Sequence, residues 1–301
     1  MSRSADALAG RRVLITGAAR GIGAATARRL HERGARVALT GVEPELLERV
    51  AAECGSAPWI EADVSDRGQI EAAVEELVER LGGLDVVMAN AGVAAQLPLV
   101  GGDPAVFERT LAVNTLGCYY TLRAAGPHIS HPDGYALAVS SLAAAVHPAL
   151  LGAYSASKAG VEALGDTLRS ELRHTGAKVG VAYFAELDTD MTHRGFGTKA
   201  AKVLTRGGRF SRVAPLESGI DAIERGIARR SRRVVAPPWV GPLLPARMVV
   251  QRVVELATRS RVAAALEIAL GEAPELTTPQ ADRGDRTAAG APEMSGNTSS
   301  Q

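Results

Sequence analysis

The residue types best suited to chemistry are a tyrosine and a lysine four positions apart, Tyr154 and Lys158, with Ser141 thirteen positions before the tyrosine. In a helix, a spacing of four places both side chains on one face. A lysine ammonium beside a phenol stabilises the phenolate and so lowers a tyrosine pKa that is about 10 in isolation. We therefore expect Tyr154 to exchange a proton with a substrate near neutral pH, while the Ser141 hydroxyl holds the substrate oxygen.

A glycine-rich turn near the start of the chain is a second candidate site. It follows the apolar run 13–15 and reads Thr16-Gly17-Ala18-Ala19-Arg20-Gly21-Ile22-Gly23. Between a strand and a helix, Gly17 would permit a tight turn, Gly21 the approach of a pyrophosphate and Gly23 close helix packing. Free N–H groups at the helix start would then face the anion. Glycine turns also arise for purely steric reasons, but this position favours dinucleotide binding.

Both candidate sites need a scaffold, and the rest of the chain predicts one. Short β-branched runs alternate with longer helical patterns, and we predict seven strands at 13–15, 37–39, 58–60, 86–88, 137–139, 179–182 and 234–235. Helices are predicted at 21–33, 44–53, 67–81, 104–125, 153–174 and 216–230. The predicted fold class is α/β, a Rossmann-type doubly wound parallel sheet with helices on both faces, in which ligands bind at the carboxyl ends of the strands.

Composition divides the chain into four parts. We predict an N-terminal extension over 1–10, the catalytic domain over 11–237, a helical extension over 238–275 and a disordered tail over 276–301, rich in Thr, Ala, Gly, Pro and Ser. The helical extension has apolar residues with arginines on the opposite face. Three roles stay open for it, which are capping of the domain, a subunit contact and contact with a membrane surface.

Charge and cysteine content exclude several partner classes. With 34 basic and 33 acidic side chains the net charge is +1, which gives no electrostatic case for nucleic acid or an anionic membrane. The 2 cysteines lie in or directly after predicted helices and suggest neither a disulfide framework nor a zinc site, and no metal-ligand constellation is visible. No stretch approaches the roughly 20 apolar residues of a membrane-spanning helix. We expect a soluble, cytoplasmic protein.

Taken together, these motifs make the sequence resemble the short-chain dehydrogenase/reductase superfamily over about residues 10–237. The glycine turn matches the first motif of that family, and Asn90-Ala91-Gly92 matches its Asn-Ala-Gly motif at the end of the fourth strand. Asp63-Val64 resembles its adenine-binding pair. Several motifs in the right order are far more specific than any one of them. The resemblance implies NAD or NADP as cofactor and, in most relatives, a homodimer or homotetramer.

The same resemblance implies a catalytic quartet made of Asn114, Ser141, Tyr154 and Lys158. Tyr154 would be the acid/base, and Lys158 would also bind the nicotinamide ribose. Ser141 would orient the carbonyl, and Asn114 would hold a helix kink and a water in the proton relay. Cofactor binding is implied for Gly17, Arg20, Gly21, Ile22, Gly23, Asp63, Val64, Asn90, Ala91, Gly92, Tyr154, Lys158 and Thr189.

Two departures from the family pattern concern the cofactor. Phe184-Ala185 stands where the family usually has Pro-Gly before the carboxamide-binding Thr189, which changes the backbone freedom near the nicotinamide. At the end of strand two, where NAD enzymes often carry an acidic residue, the chain has Gly41. Nearby Glu43 would repel a 2′-phosphate and Arg20 would attract one, so the cues oppose each other, with a slight preference for NAD.

These expectations define a functional hypothesis, an NAD(P)-dependent oxidoreductase that interconverts a secondary alcohol and a ketone or aldehyde. Its substrate should be bulky and hydrophobic, because the candidate lining of the substrate pocket is mostly apolar. The same residues could also be ordinary core. They are Val93, Leu97, Leu142, His147, Leu150, Leu151, Met191 and Phe196. Enoyl reduction is disfavoured, since the family's enoyl reductases place the lysine seven residues after the tyrosine, where this chain has Val161. The alternatives are a non-catalytic dinucleotide-binding redox sensor and an isomerase or dehydratase that retains its cofactor.

Overall fold

The computed structural model describes residues 7–207, 211–272 and 276–277, and of residues 193–195 it describes the backbone only. The strands are β1 (Arg12–Thr16), β2 (Arg36–Gly41), β3 (Trp59–Glu61), β4 (Val86–Ala89), β5 (Tyr135–Val139), β6 (Lys178–Phe184) and β7 (Arg233–Ala236). All seven predicted strands are present, and their bounds lie within about two residues of the prediction.

The helices of the described residues surround this sheet. They are α1 (Gly21–Glu32), α2 (Pro44–Glu53), α3 (Arg67–Leu81), α4 (Pro104–Leu111), α5 (Gly117–Ala125), α6 (Gly152–Glu171), α7 (Asp190–Gly195), α8 (Lys199–Thr205), α9 (Leu216–Arg229), α10 (Val240–Leu243), α11 (Arg247–Thr258) and α12 (Val262–Leu270). Three short 3-10 turns, Pro127–Ile129, Leu142–Ala144 and Leu172–Thr175, complete the connections.

The strands form one parallel sheet in the order β3-β2-β1-β4-β5-β6-β7. Ile15 of β1 stands between Leu39 of β2 and Met88 of β4 in the register of the sheet. The chain therefore builds the sheet outward in one direction from β1 to β3 and in the other from β4 to β7. The point where the direction changes, between β1 and β4, is where a sheet of this kind opens a ligand crevice. The predicted fold class is confirmed.

Burial on both faces explains why these strands lack a polar side. All five residues of β5 are buried. In β1, Val13 and Ile15 pack into one apolar cluster and Leu14 into a second. Successive side chains of a strand point to opposite faces, so each face of the sheet carries its own helix-covered core.

Local signals set the ends of several helices. The Asp66 side chain accepts the N–H of Gln69 at the start of α3, and Gly82 ends that helix in the left-handed region with φ 73°. Asp103 caps α4 by accepting the N–H of Ala105. The predicted continuous helix 104–125 is wrong in one respect, because a π-helical turn, Ala112–Leu116, separates α4 from α5.

The C-terminal helices return to the carboxyl ends of the strands. In α12, Ala265 and Ala269 pack against Ala200 and Leu204 of α8. Almost all of the predicted tail, 276–301, lies outside the described residues. Its first two residues pack against the fold, so the prediction is corrected at Leu276 and Thr277. Among the helices of the described ranges, none is both long and apolar enough to cross a membrane.

Candidate active site

A cavity of about 380 Å³ lies at the carboxyl ends of the strands. It extends from Gly41 and Asp63, at β2 and just after β3, past the glycine turn to Tyr154 and Trp239. All of the predicted catalytic and cofactor-binding residues line it except Gly23 and Asn114, which lie behind its wall. The crevice predicted from the strand order and the reactive side chains predicted from spacing thus meet in one place.

Steric necessity explains two of the glycines in the turn after β1. A Cβ on Gly17, whose φ is +64°, would stand 2.7 Å from the Ala91 Cα, and a Cβ on Gly23 would collide with the Gly17 carbonyl oxygen. Gly21 differs, because the nearest atoms to its Cβ position belong to Thr189, 4.0 Å away. At the N-cap of α1, the Arg20 side chain makes no capping hydrogen bond. The first N–H groups of that helix therefore face the open space beside Gly21.

The Asn-Ala-Gly segment after β4 holds the glycine turn in place. The Asn90 side-chain amide donates to the carbonyl of Thr16 at 2.9 Å and to that of Gly17 at 3.2 Å. The Thr16 hydroxyl oxygen accepts the N–H groups of Asn90 and Ala91. These bonds couple the ends of β1 and β4 on both sides of the crevice.

An ion pair that the sequence analysis missed holds Asp63. Arg109, on α4, donates to Asp63 Oδ2 at 2.8 Å, and Ser65 donates its N–H and hydroxyl to Oδ1 at 2.9 and 2.7 Å. Burial alone would raise the pKa of Asp63, but the bonds from Arg109 and Ser65 outweigh it and lower this pKa to about 2. Both Asp63 and Arg109 line the cavity, so the lowered pKa favours an ionised carboxylate at its β3 end.

Asn114 lies in the π-helical turn between α4 and α5, with 1% of its surface exposed. Its Oδ1 accepts the Val93 N–H at 2.8 Å, and its Nδ2 donates to the Val93 carbonyl and to Ser157 Oγ, both at 2.9 Å. The Ser157 hydroxyl donates to the Tyr154 carbonyl at 2.7 Å. Asn114 thus joins the loop after β4 to the first turn of α6.

The tyrosine and lysine predicted to share one helical face do so in α6. Lys158 Nζ lies 5.8 Å from the centroid of the Tyr154 ring, and it donates to the Val139 carbonyl at 2.9 Å. Burial raises the pKa of Tyr154, and a hydrogen bond with Ser141 offsets part of that increase. The expectation that the ammonium lowers the Tyr154 pKa is therefore wrong for this structure, because desolvation dominates. Burial also lowers the pKa of Lys158, to about 8.

Arg20 and Glu43, the two residues whose charges favour opposite cofactors, bind each other. Arg20 forms a two-bond ion pair with Glu43, with Nε 2.7 Å from Oε2. Its third nitrogen lies 3.5 Å from Asp190 at the start of α7. The side chains of Arg20 and Glu43 are only 24% and 18% exposed, which limits screening by water. The charge of Arg20 is thus balanced by carboxylates at the mouth of the cavity.

Phe184-Ala185, which replaces the usual Pro-Gly pair, continues the sheet. The Ala185 N–H donates to the Ala236 carbonyl at 3.0 Å, and the Phe184 carbonyl accepts the Ser141 hydroxyl at 3.3 Å. The Glu186 carbonyl accepts the Ala214 N–H at 2.9 Å, and the Asp188 N–H donates to the Ala214 carbonyl at 2.9 Å. Thr189 caps α7 and faces Gly21 across the cavity. Regular backbone bonding therefore carries the chain from β6 to Thr189 without the Pro-Gly pair.

The far end of the cavity is apolar. Five of the predicted lining residues are there: Val93, Leu142, Leu151, Met191 and Phe196. The other three do not line it, since Leu97 and Leu150 pack in separate buried clusters and His147 bonds Gln251 on the outside. The sequence analysis missed the residues that come from the C-terminal part of the chain: Trp239, Leu243, Val250, Val254 and Thr277. Val250 and Val254 are one helical turn apart, a signal of a buried face that does not reveal what the face contacts.

The described residues contain no cluster that could hold a metal ion. Within 7–207, 211–272 and 276–277, no three His, Cys, Asp or Glu side chains come together as a metal site. Cys54 and Cys118 are both free thiols and both buried. The titratable groups in the described lining of the cavity are those of Tyr154, Lys158, Glu186 and the ion pairs described above.

Comparison with known proteins agrees with this geometry. A family model described as short chain dehydrogenase matches residues 11–202. Trans-4-hydroxycyclohexanecarboxylate dehydrogenase of Sinomonas cyclohexanicum is 34% identical over 210 residues, which cover 65% of this chain and 81% of that protein. The 11-beta-hydroxysteroid dehydrogenase-like 6 protein of Arabidopsis thaliana is 33% identical over 249 residues, which cover 78% of this chain and 72% of that protein.

A solved structure shares the fold as well. The short chain dehydrogenase/reductase of Burkholderia phymatum in complex with NAD superposes with a TM-score of 0.71 at 22% identity, over 83% of this chain and 95% of that chain. At 22% identity this similarity shows the fold alone. Family membership is shown by the family model and by the relatives above 30% identity. The chain therefore belongs to the short-chain dehydrogenase/reductase family, and it is an oxidoreductase.

Proposed function

We propose that this protein is an NAD(P)-dependent oxidoreductase that interconverts a secondary alcohol and a ketone or aldehyde, with Tyr154 as the acid/base. The observation that carries the proposal is that Tyr154, Ser141 and Lys158 line the same cavity as the glycine turn. A dinucleotide at the turn and a substrate oxygen at Tyr154 would share that crevice. Proton transfer and hydride transfer could then occur at neighbouring atoms of one substrate.

The residues on the β1 to β3 side of the cavity fit a dinucleotide. The uncapped N–H groups at the start of α1 suit a pyrophosphate, and Gly21 leaves the space for it. Asp63, held ionised, suits the amino group of an adenine. A Cβ on Gly92 would stand 3.3 Å from Lys158 Nζ, so the glycine keeps the ammonium accessible to ribose hydroxyls. A bound nicotinamide would supply or accept the hydride.

Four side chains of the protein would handle the proton. The Tyr154 hydroxyl gives a proton to the substrate oxygen in reduction and takes it back in oxidation. Ser141 hydrogen-bonds the same oxygen while it remains linked to the phenol. Lys158 donates to the Val139 carbonyl, which places its ammonium beside the Tyr154 ring. Asn114 binds the Ser157 hydroxyl, which donates to the Tyr154 carbonyl, and so fixes the helical turn that carries Tyr154.

The substrate class follows from the far end of the cavity. The cationic side chains in its described lining, Arg20, Arg109 and Lys158, stand toward the cofactor side, and two of them are paired with carboxylates. Apolar side chains from β5, the loop before α6, α7 and α11 surround the remaining space. A bulky, uncharged, hydrophobic alcohol or carbonyl compound fits best, because an unpaired substrate charge would lose its hydration there.

NAD is the favoured cofactor over NADP. The carboxylate of Glu43 sits beside Arg20 at the end of β2, where the 2′ position of an adenine ribose would come. A 2′-phosphate would have to displace Glu43 from Arg20 and would be repelled by it. A 2′-hydroxyl needs neither change.

A non-catalytic redox sensor is not favoured, because both Tyr154 and Lys158 are present and line the cavity. The cytoplasmic location and the homodimer or homotetramer stay predictions from the sequence. Light scattering on the purified protein would measure the oligomeric state.

The decisive experiment supplies the protein with NAD or NADP and a panel of hydrophobic secondary alcohols and ketones, and follows the absorbance of reduced nicotinamide. We expect turnover on at least one of them, and a fall of about a thousandfold or more in kcat for Tyr154→Phe. Cofactor affinity should fall far less than kcat in that variant, because Tyr154 is one of many residues proposed to bind the cofactor. Cofactor binding without turnover on the whole panel would refute the oxidoreductase assignment, and product without net cofactor change would indicate isomerase or dehydratase chemistry.

A further inference from the structure

After α12 the chain returns to the carboxyl ends of the strands at Leu276 and Thr277. Thr277 is buried, with 2% of its surface exposed. Its N–H donates to the Ala94 carbonyl at 3.1 Å, and its hydroxyl oxygen accepts the Ala94 N–H at 3.0 Å. Leu276 packs in an apolar cluster with Ala95 and Ala153. Thr277 thus binds both backbone groups of one residue in the loop after β4.

Asn114 binds the preceding residue of the same loop, Val93, in the same two-bond manner. The Val93 N–H donates to Asn114 Oδ1, and Asn114 Nδ2 donates to the Val93 carbonyl. From Asn114 the bonds continue through Ser157 to the Tyr154 carbonyl. Two consecutive backbone positions therefore connect the C-terminal segment to the helical turn that carries Tyr154.

Ala94 also belongs to the apolar cluster that contains Tyr154. Its side chain is fully buried in a cluster with Ala143 and Tyr154, against which Met191 and Phe196 pack. Thr277 itself lines the cavity. A displacement of Ala94 would therefore move both the wall beside the phenol and the anchor of Asn114.

We propose that Thr277 is a positioning residue of the active site, which holds Ala94 so that Tyr154 and Asn114 keep their places. This role rests on the proposed oxidoreductase function. The hydroxyl is the essential group, because without it the buried Ala94 N–H would have no acceptor in this contact and the loop would relax. Thr277 lies well beyond residues 11–202, which the family model matches, so this role belongs to the part of the chain that follows the matched region.

The test compares two substitutions at this position in the 301-residue chain. Thr277→Val keeps the shape of the side chain and removes the acceptor, whereas Thr277→Ser keeps the hydroxyl. Thr175→Val is the matched control, because the Thr175 hydroxyl oxygen also accepts a backbone N–H, that of Ala177 at 3.2 Å, at the amino end of β6. We expect Thr277→Val to lower kcat about tenfold with unchanged NAD affinity, and both Thr277→Ser and the control to stay within about twofold of the wild type.

Hydrogen exchange at the Ala94 amide gives a second readout that needs no turnover. Exchange should be at least about tenfold faster in Thr277→Val and unchanged in Thr277→Ser and in the control. If the wild type binds NAD and turns over no substrate, the proposed function fails while the exchange rates still test the contact.

Three outcomes would overturn the positioning role. The first is a kcat of Thr277→Val equal to that of the wild type. The second is an Ala94 amide that exchanges at the same rate in both proteins. The third is a parallel loss of NAD affinity and kcat in Thr277→Val that Thr277→Ser does not restore, which would indicate general destabilisation instead.

Discussion

Lys158 Nζ and the Tyr154 ring lie 5.8 Å apart on one face of α6, and both side chains are buried, with 4% and 8% of their surfaces exposed. Burial disfavours the charged form of each, so it raises the pKa of the phenol and lowers that of the ammonium to about 8. The pair is therefore shifted toward its two neutral forms. Any effect of the lysine charge on the tyrosine competes with this desolvation.

The raised pKa of Tyr154 predicts different pH profiles for the two directions of the reaction. Reduction uses the phenol, which dominates below that pKa, so kcat for reduction should be flat between about pH 6 and 8. Oxidation uses the phenolate, whose fraction grows about tenfold per pH unit below the pKa, so kcat for oxidation should rise through this range. Initial rates at saturating cofactor measure both. A flat profile for oxidation would contradict the raised pKa.

The lowered pKa of Lys158 predicts that the free energy of unfolding rises with pH. Above about pH 8 the folded amine is neutral, while the unfolded lysine, with a pKa of 10.5, still holds its proton. The unfolded state then binds more protons, and stability increases between these two values. Urea titrations should show a gain of about 1 kcal/mol from pH 8 to pH 9 relative to Lys158→Met.

The comparison with Lys158→Met removes a competing effect of the thiols. Burial raises the pKa of Cys54 to about 11 and that of Cys118 to about 12, so the unfolded thiols ionise first and reduce stability mainly as pH rises above 9. Equal pH dependence of the two proteins would show that Lys158 titrates at its ordinary pKa.

The ion pair between Arg20 and Glu43 predicts how cofactor preference can be changed. Glu43→Gln removes the negative charge beside Arg20, which then attracts a 2′-phosphate. We expect the ratio of kcat/KM for NADP to that for NAD to rise about tenfold or more. Glu53→Gln is the control, since Glu53 pairs with Arg28 on the exposed surface and does not line the cavity. An unchanged ratio in Glu43→Gln would exclude Glu43 as the selective group.

Neighbouring valines of α11 test the apolar wall of the cavity. Val254 lines the cavity, while Val253 is 58% exposed on the outer face of the same helix. Val254→Asn places an amide against the bound substrate, so KM for hydrophobic alcohols should rise about tenfold with unchanged NAD affinity. Val253→Asn should leave both constants within about twofold. Similar constants for the two variants would mean that α11 does not contact the substrate.

Much of the site could be predicted from the sequence because its signals are local. The spacing of Tyr154 and Lys158 defines one helical face, and the pattern around Gly17 and Gly21 defines a strand-to-helix turn. The π-helical turn at Asn114 agrees with the kink that the family resemblance implies. Each of these features depends on residues within about one or two turns of chain.

Other features depend on contacts between residues distant in sequence and stayed hidden. The bonds of Arg109 to Asp63 and of Thr277 to Ala94 link positions 46 and 183 residues apart. Neither pairing has a periodic signature. The wall formed by Val250 and Val254 was missed for the same reason. An amphipathic pattern shows which face of a helix is apolar, but it does not show which part of the protein that face contacts.

By itself, the sequence determined the alternation of strands and helices, the parallel sheet and the set of reactive groups at its carboxyl edge, since hydrophobic period and turn chemistry are properties of short segments. Tertiary structure alone decided the direction of the Tyr154 pKa shift, the pairing of Arg20 with Glu43 and the attachment of the C-terminal segment to Ala94. Desolvation and ion pairing depend on how completely distant parts of the chain exclude water from a group, and only the packed molecule sets that.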